Sequence, residues 1–141
     1  MAKAKIEFSD AAAGTSMRVE MHYQTAEKPG HMRFSFANSK SGFGASPITC
    51  DLGFEETYDV RRVLSGESDR TNGGNPLDLG GGVSFAAKRN DGGTVSFAAL
   101  EKTEIGRKSI VVTISECEAE GLKLAIGHAA FFMAFIKGVD A

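Results

Sequence analysis

The chain has 141 residues, 42% of them hydrophobic, and carries 16 Lys or Arg against 18 Asp or Glu for a net charge of −2. That length suffices for one domain with a real core and no staples. No apolar run reaches the length of a bilayer span, and the near-neutral balance argues against an overall basic nucleic-acid binder. The first residues lack the apolar core of a signal peptide, so the chain reads as soluble and cytoplasmic. Its two cysteines, Cys50 and Cys117, have no His or Cys neighbours at ligand spacing and read as reduced thiols, not as a bridge or a metal centre.

In chain order, Lys5-Ile6-Glu7-Phe8 predicts a short strand, broken at Ala11-Ala12-Ala13-Gly14. Met17 to Tyr23 then alternates, with Met17, Val19, Met21 and Tyr23 on one face and Arg18, Glu20 and His22 on the other. Pro29-Gly30 suits the centre of a tight turn, and His31 to Ala37 repeats the alternation, which predicts a hairpin. A small, polar loop from Ser39 to Ser46 carries Phe43, and Pro47 to Leu52 makes a fourth strand. Gly53 to Leu64 reads as a helix closed by Ser65-Gly66.

The stretch from Glu67 to Gly82 is rich in Gly, Asn, Asp and Ser and predicts a linker with a short strand near Leu77-Asp78-Leu79. Val83 to Arg89 and Thr94 to Lys102 flank an Asn90-Asp91-Gly92-Gly93 turn and predict a second hairpin. Ile110 to Ile114 is β-branched at every position. Ser115 followed by Glu118 has the spacing of a capping box, and Leu122, Ile126, Ala129 and Met133 follow at helical intervals. The far half of this helix, Ala129 to Ile136, is apolar nearly all round, as a buried or oligomerising helix would be.

Strands then helix, linker, strands then helix is an internal repeat. A shift of 62 residues lays Leu52 on Ile114, Glu56 on Glu118 and Val60 on Leu122, while a shift of 61 lays Phe34 and Phe36 on Val95 and Phe97. The expected fold is α+β: a duplicated ββββα unit, with curved antiparallel sheets packed against a long C-terminal helix. Residues 1–141 read as a single domain of two pseudo-repeats, about 1–66 and 77–141, joined by a linker over 67–76. Charge divides along the same lines, because the strand-rich parts 1–50 and 81–114 sum to +4 and the remainder to −6. A positive sheet backed by acidic helices offers a binding face that the overall balance conceals.

The closing segment, Lys108-Ser109-Ile110-Val111-Val112-Thr113-Ile114-Ser115-Glu116-Cys117-Glu118-Ala119-Glu120-Gly121-Leu122, resembles the basic residue, strand, capped turn and long helix that end the units of the Whirly and PUR-alpha group. The likeness is architectural: the lysine- and alanine-rich loop of plant Whirly proteins and a PUR signature are both absent. The resemblance implies binding of single-stranded DNA or RNA on the sheet surface by a homo-oligomer, a dimer or tetramer, with cations on phosphates and rings against unpaired bases. The residues it nominates are Arg18, His22, His31 and Arg33 on the first hairpin, Lys40 and Phe43 in the following loop, Lys88, Arg89 and Lys102 on the second hairpin, and Arg107 and Lys108 at the last strand's entrance. Tyr23 joins Phe43 as a stacking candidate, whereas Phe34, Phe36, Phe85 and Phe97 fall on apolar faces and belong to the core. Phe131, Phe132, Phe135 and Ile136 are the candidate oligomer contacts.

An enzyme is the first rival, and the sequence argues against it. The three histidines, His22, His31 and His128, are scattered, and no nucleophile, paired carboxylates or metal cluster is recognisable. Gly80-Gly81-Gly82 lacks the Lys-Ser that would make a phosphate loop. No catalytic residue, metal or cofactor is therefore expected. The second rival is an assembly module that uses the same fold without nucleic acid. The compact size suits an accessory to replication, recombination or transcription.

Overall fold

The computed structural model describes residues 5–22, 27, 29–44 and 46–135, with side chains as far as Ala129. Strands β1 (Lys5–Asp10), β2 (Thr15–His22), β3 (His31–Asn38) and β4 (Ile48–Leu52) form one antiparallel sheet in the order β1-β2-β3-β4, and helix α1 (Phe54–Ser65) follows. The order then recurs. Strands β5 (Leu77–Asp78), β6 (Val83–Arg89), β7 (Val95–Thr103) and β8 (Gly106–Ile114) form a second antiparallel sheet, β5-β6-β7-β8, and helix α2 (Glu116–Phe135) follows. The fold is the duplicated ββββα unit that the sequence predicts. Among the described residues no helix is long and apolar enough to cross a membrane.

Alternation decides which face each sheet buries. Met17, Val19, Phe34, Phe36, Ile48, Cys50 and Leu52 point inward from the first sheet, and Phe85, Val95, Phe97, Ala99, Ile110, Val112 and Ile114 from the second, all buried in one continuous core. Four phenylalanines join the two inner faces. The Phe34 ring lies 5.1 Å from Phe85 and 6.0 Å from Phe97, Phe36 lies 6.1 Å from Phe85, and Phe85 lies 6.2 Å from Phe97. Each such aromatic pair adds about 0.5–1.5 kcal/mol beyond the area it buries. Helix α1 buries Val60, Val63 and Leu64 and α2 buries Ala119, Leu122, Ile126 and Ala129, and the two helices pack on one another.

Both helices start the same way. The Ser115 hydroxyl accepts the Glu118 N–H at 3.1 Å, and the Glu118 carboxylate accepts the Ser115 N–H at 2.9 Å. At α1 the Gly53 N–H reaches the Glu56 carboxylate at 2.7 Å, which is the half of the box that glycine permits. Helix α1 ends on a left-handed Gly66 (φ 82), with the N–H groups of Gly66 and Glu67 on the carbonyls of Val63 and Arg62.

Pairing corrects the repeat's alignment. Cys50 faces Phe34 and Val112 faces Phe97, and the shift of 62 carries Cys50 onto Val112. Phe34 therefore corresponds to Phe97, not to Val95. The two alignments differ by one full side-chain period, so both keep the core face inward and only the register separates them.

Residues 67–76 are more than a spacer. The Asp69 carbonyl accepts the Arg89 N–H at 2.8 Å, and the buried Thr71 hydroxyl accepts the Ala87 N–H at 3.0 Å. Arg70 bridges to Lys88, and Asp59 at the side of α1 accepts the Asn72 N–H at 2.6 Å. The segment thus continues along the edge of β6 that β5 leaves uncovered. The far edge of the same sheet is closed by the β1–β2 turn, where Asp10 accepts the Thr113 N–H at 2.9 Å and Thr15 donates to the Val111 carbonyl at 2.7 Å. Strand edges otherwise invite pairing with other chains.

The Gly80–Gly82 run is turn chemistry. All three residues are left-handed, and a Cβ on Gly82 would sit 2.5 Å from the Lys102 carbonyl oxygen, while one on Gly81 would meet nothing within 4 Å. Gly81→Ala is expected to cost about 1–2 kcal/mol for its backbone alone, and Gly82→Ala clearly more, in urea unfolding of the two variants side by side. The thiols are expected to separate as sharply. Burial, with Asp51 and Glu101 adding to it, pushes the Cys50 thiol up to about 12, and Cys117 is exposed. A thiol-reactive dye at pH 8 should label Cys117 in the native protein and Cys50 only after unfolding.

Candidate nucleic-acid interface

The two outward faces differ in how their charges are arranged. On the first sheet, the cross-strand register sets Lys5 beside Glu20, Glu7 beside Arg18, and Arg33 between Glu20 and Asp51. Acid therefore meets base in each row. Arg18 Nε reaches Glu7 at 2.8 Å, and Arg33 grips Asp51 with two hydrogen bonds of 2.8 and 3.1 Å. Donating these hydrogen bonds to Asp51 holds the Arg33 guanidinium above its ordinary pKa despite partial burial. Phe43 is half-buried because the Arg18 guanidinium lies over its ring, 4.4 Å from the centroid.

His22 and His31 close this face as the last cross-strand pair before the β2–β3 connection. Their rings stack at 4.8 Å, inclined by 12°. His31 donates from Nδ1 to the Pro29 carbonyl at 3.1 Å, which leaves its Nε2 turned to Asp51 at 3.7 Å. His22 Nε2 lies 3.9 Å from Glu20. Lys40 is exposed in the β3–β4 loop.

The second sheet is arranged otherwise. The outward positions of β6, β7 and β8 are Ser84, Ala86 and Lys88, then Ser96, Ala98, Leu100 and Lys102, then Arg107, Ser109, Val111 and Thr113. These three strands present three cations and no carboxylate on that face; Asp78 of β5 stands at its edge beside Ser84. Lys102 and Arg107 are cross-strand partners at one end, while Lys88 shares a row with Ser96 and Thr113 at the other. At about 3.3 Å per residue the two ends are roughly 20 Å apart. Between them lies an uncharged strip of Ala, Ser, Leu and Val. Ser96 bonds Thr113 at 2.7 Å and Asn90 at 2.9 Å, which pins this polar row. Ile105, at the tip of the β7–β8 hairpin, is 99% exposed between the two basic residues.

Two nominated cations leave this surface. Arg89 has the inward parity, and its guanidinium donates to the Leu64 carbonyl at 3.1 Å and the Val63 carbonyl at 3.5 Å, at the negative end of α1. Counting it with Lys88 overlooks that adjacent strand residues face opposite ways. Lys108 also has the inward parity, at the sheet's rim, and its Nζ donates to the Ser46 carbonyl of the first unit. Tyr23 lies outside the described residues, as do Ile136 and the side chains of Phe131, Phe132 and Phe135. Arg70, which the sequence reading passed over as part of a linker, stands beside Lys88. No motif signals it, because the pairing that brings it there is between distant segments. Among the described residues no group of His, Cys, Asp and Glu is placed to hold a metal ion.

The sequence matches no protein-family model and no curated protein. The fold has close counterparts among solved structures. One is MRP1/MRP2 of Trypanosoma bruciei, with 13% identity, a TM-score of 0.66, and 95% of this chain and 86% of that chain covered. Another is a guideRNA-binding protein complex bound to a gRNA, with 12% identity, a TM-score of 0.70, and coverage of 96% and 94%. WHY1 from Arabidopsis thaliana aligns over 100% of this chain and 99% of its own, with 12% identity and a TM-score of 0.69. At these identities the likeness is one of fold, and the fold is Whirly-like over essentially the whole chain.

Proposed function

We propose that this protein binds single-stranded DNA or RNA without catalysis, on the outward face of the β5–β8 sheet. The observation that carries the reading is the charge arrangement: Lys88, Lys102 and Arg107 share that face with no carboxylate on β6, β7 or β8, whereas Arg18 and Arg33 on the other sheet are committed to Glu7 and Asp51. Phosphates can be met by the cations at either end, and the neutral strip between them lets unpaired bases lie flat without displacing a long side chain. A gRNA-binding complex among the structural neighbours supports the same reading. Arg18, His22, His31, Arg33, Lys40 and Phe43 form a secondary surface, their charges largely matched within the protein.

The test is fluorescence anisotropy with labelled single-stranded and duplex oligonucleotides across a salt series. Single strands are expected to bind more tightly than duplex. Changing Lys88 and Arg107 together to Glu should weaken binding at least tenfold and lower the slope of log K against log salt by about 1.4, two contacts at roughly 0.7 each. Arg89→Ala is the matched control. It should cost about 1 kcal/mol of stability through lost helix capping and leave the salt slope unchanged. Absence of binding to any oligonucleotide at low salt would sink the proposal.

Assembly is a compatible second reading, favoured by one feature of α2. Leu124 is 73% exposed and borders an apolar recess of about 400 Å³ lined also by Ile6, Met21, Met32 and Ala125. We infer that a second copy of the chain covers this recess. Sedimentation should show a dimer or larger species, and Leu124→Lys should shift it toward monomer; a monomeric wild-type protein at high concentration would end this reading.

A further inference from the structure

We infer that the hollow between the 67–76 segment and the second sheet is a pocket for one nucleotide of the bound strand. Ala86 and Ala98 face each other across β6 and β7 on the outward side, with Val111 next in the row. Alanine is a poor choice at such positions, where β-branched or long polar side chains pack better. Here the pair leaves a hollow of about 270 Å³, floored by Ala86, Ala98 and Ser96 and walled by Arg70, Gly74 and Lys88. A second recess of about 110 Å³ shares the alanine floor and runs on past Pro76, Ser84 and Leu100. The result is a trough along the middle of the cationic face.

Two features select the ligand. Arg70 and Lys88 are bridge partners, so like charges stand directly opposite on one wall, an unfavourable arrangement unless an anion lies between them. Among the described residues neither is in an ion pair with a carboxylate. The hollow is also smaller than the roughly 300–1,000 Å³ that encloses a whole drug-sized ligand. A phosphate at the Arg70–Lys88 wall, with its base lying on the alanine floor against the Ser96 hydroxyl, fits both. The left-handed Asn72 and Gly73 (φ 51 and 63) turn the chain back so that Arg70 and Gly74 flank the opening together. The pocket therefore gives the strand a fixed point on the sheet, beyond generic charge attraction.

This inference rests on the nucleic-acid reading, and the experiment separates the two. Ala98→Leu fills the floor without touching any charge. With labelled oligothymidylate and oligouridylate it should weaken binding about tenfold, the size of one base contact, with the salt slope unchanged. Arg70→Gln with Lys88→Gln should instead lower the slope by about 0.7, the one phosphate held at that wall. Amide chemical shifts of the wild-type protein provide a measure independent of any variant's folding: Gly74, Ala86, Ser96 and Ala98 should move on adding either oligonucleotide. If the strand binds but those amides stay still, or Ala98→Leu binds as tightly as wild type, the pocket is overturned and the sheet reading survives. If the wild-type protein binds neither strand, both fall.

Discussion

The contact on which the rest depends is the packing of Phe34 and Phe36 from one sheet against Phe85 and Phe97 from the other. Each ββββα unit brings one apolar sheet face and one apolar helix stripe that must be buried against another layer. Setting the rings of the two sheets face to face gives both units a shared interior, into which Leu122 and Ile126 of α2 and Val60 and Val63 of α1 are packed. Turning both phenylalanine faces inward also leaves both opposite faces outward. The proposed binding surface is a consequence of where the core had to be.

What each outward face then does is decided by register. In the first sheet, Glu7–Arg18 and Arg33–Asp51 are direct cross-strand neighbours. Side chains so placed neutralise each other before any ligand arrives, and Arg18 is further occupied by the Phe43 ring. In the second sheet, Lys88 is opposite Ser96 and Lys102 is opposite Arg107. No opposite charge is within the row, so the cations keep their field for something outside the protein. Duplication has thus given two sheets of one shape and two different surfaces.

The parts of this that were legible in the sequence are those governed by short-range spacing. Ser115 and Glu118 are three residues apart and cap α2 as expected, and Ser65-Gly66 ends α1 where a left-handed glycine should. Alternation placed all four core phenylalanines correctly. Quantities set by contact between distant segments were not legible. The alignment of β3 with β7 needs the pairing of each strand with its neighbour, and a slip of one side-chain period leaves the hydrophobic pattern unchanged. Arg89 was grouped with Lys88 on charge, although its target, the end of α1, is 25 residues away in sequence. The 67–76 segment has the composition of a spacer, and nothing local in it shows that Thr71 will be buried against β6.

That segment also bears on how strongly the proposed surface would hold a strand. On the proposed surface, three cations alone would give electrostatic binding of the weak, salt-sensitive kind, on the order of 10⁻⁴–10⁻⁶ M. Two routes to tighter binding are compatible with this architecture. One is to add a contact that is not ionic, which is what an alanine-floored hollow walled by Arg70 and Lys88 supplies. The other is to place several such faces on one strand, where linkage raises the effective concentration of each successive contact to the millimolar range when the geometry permits. The fold serves both: the linker that covers the edge of β6 also builds the hollow's wall, and α2 with its exposed Leu124 lies on a different surface from the cationic face. Binding and assembly therefore need not compete for the same residues.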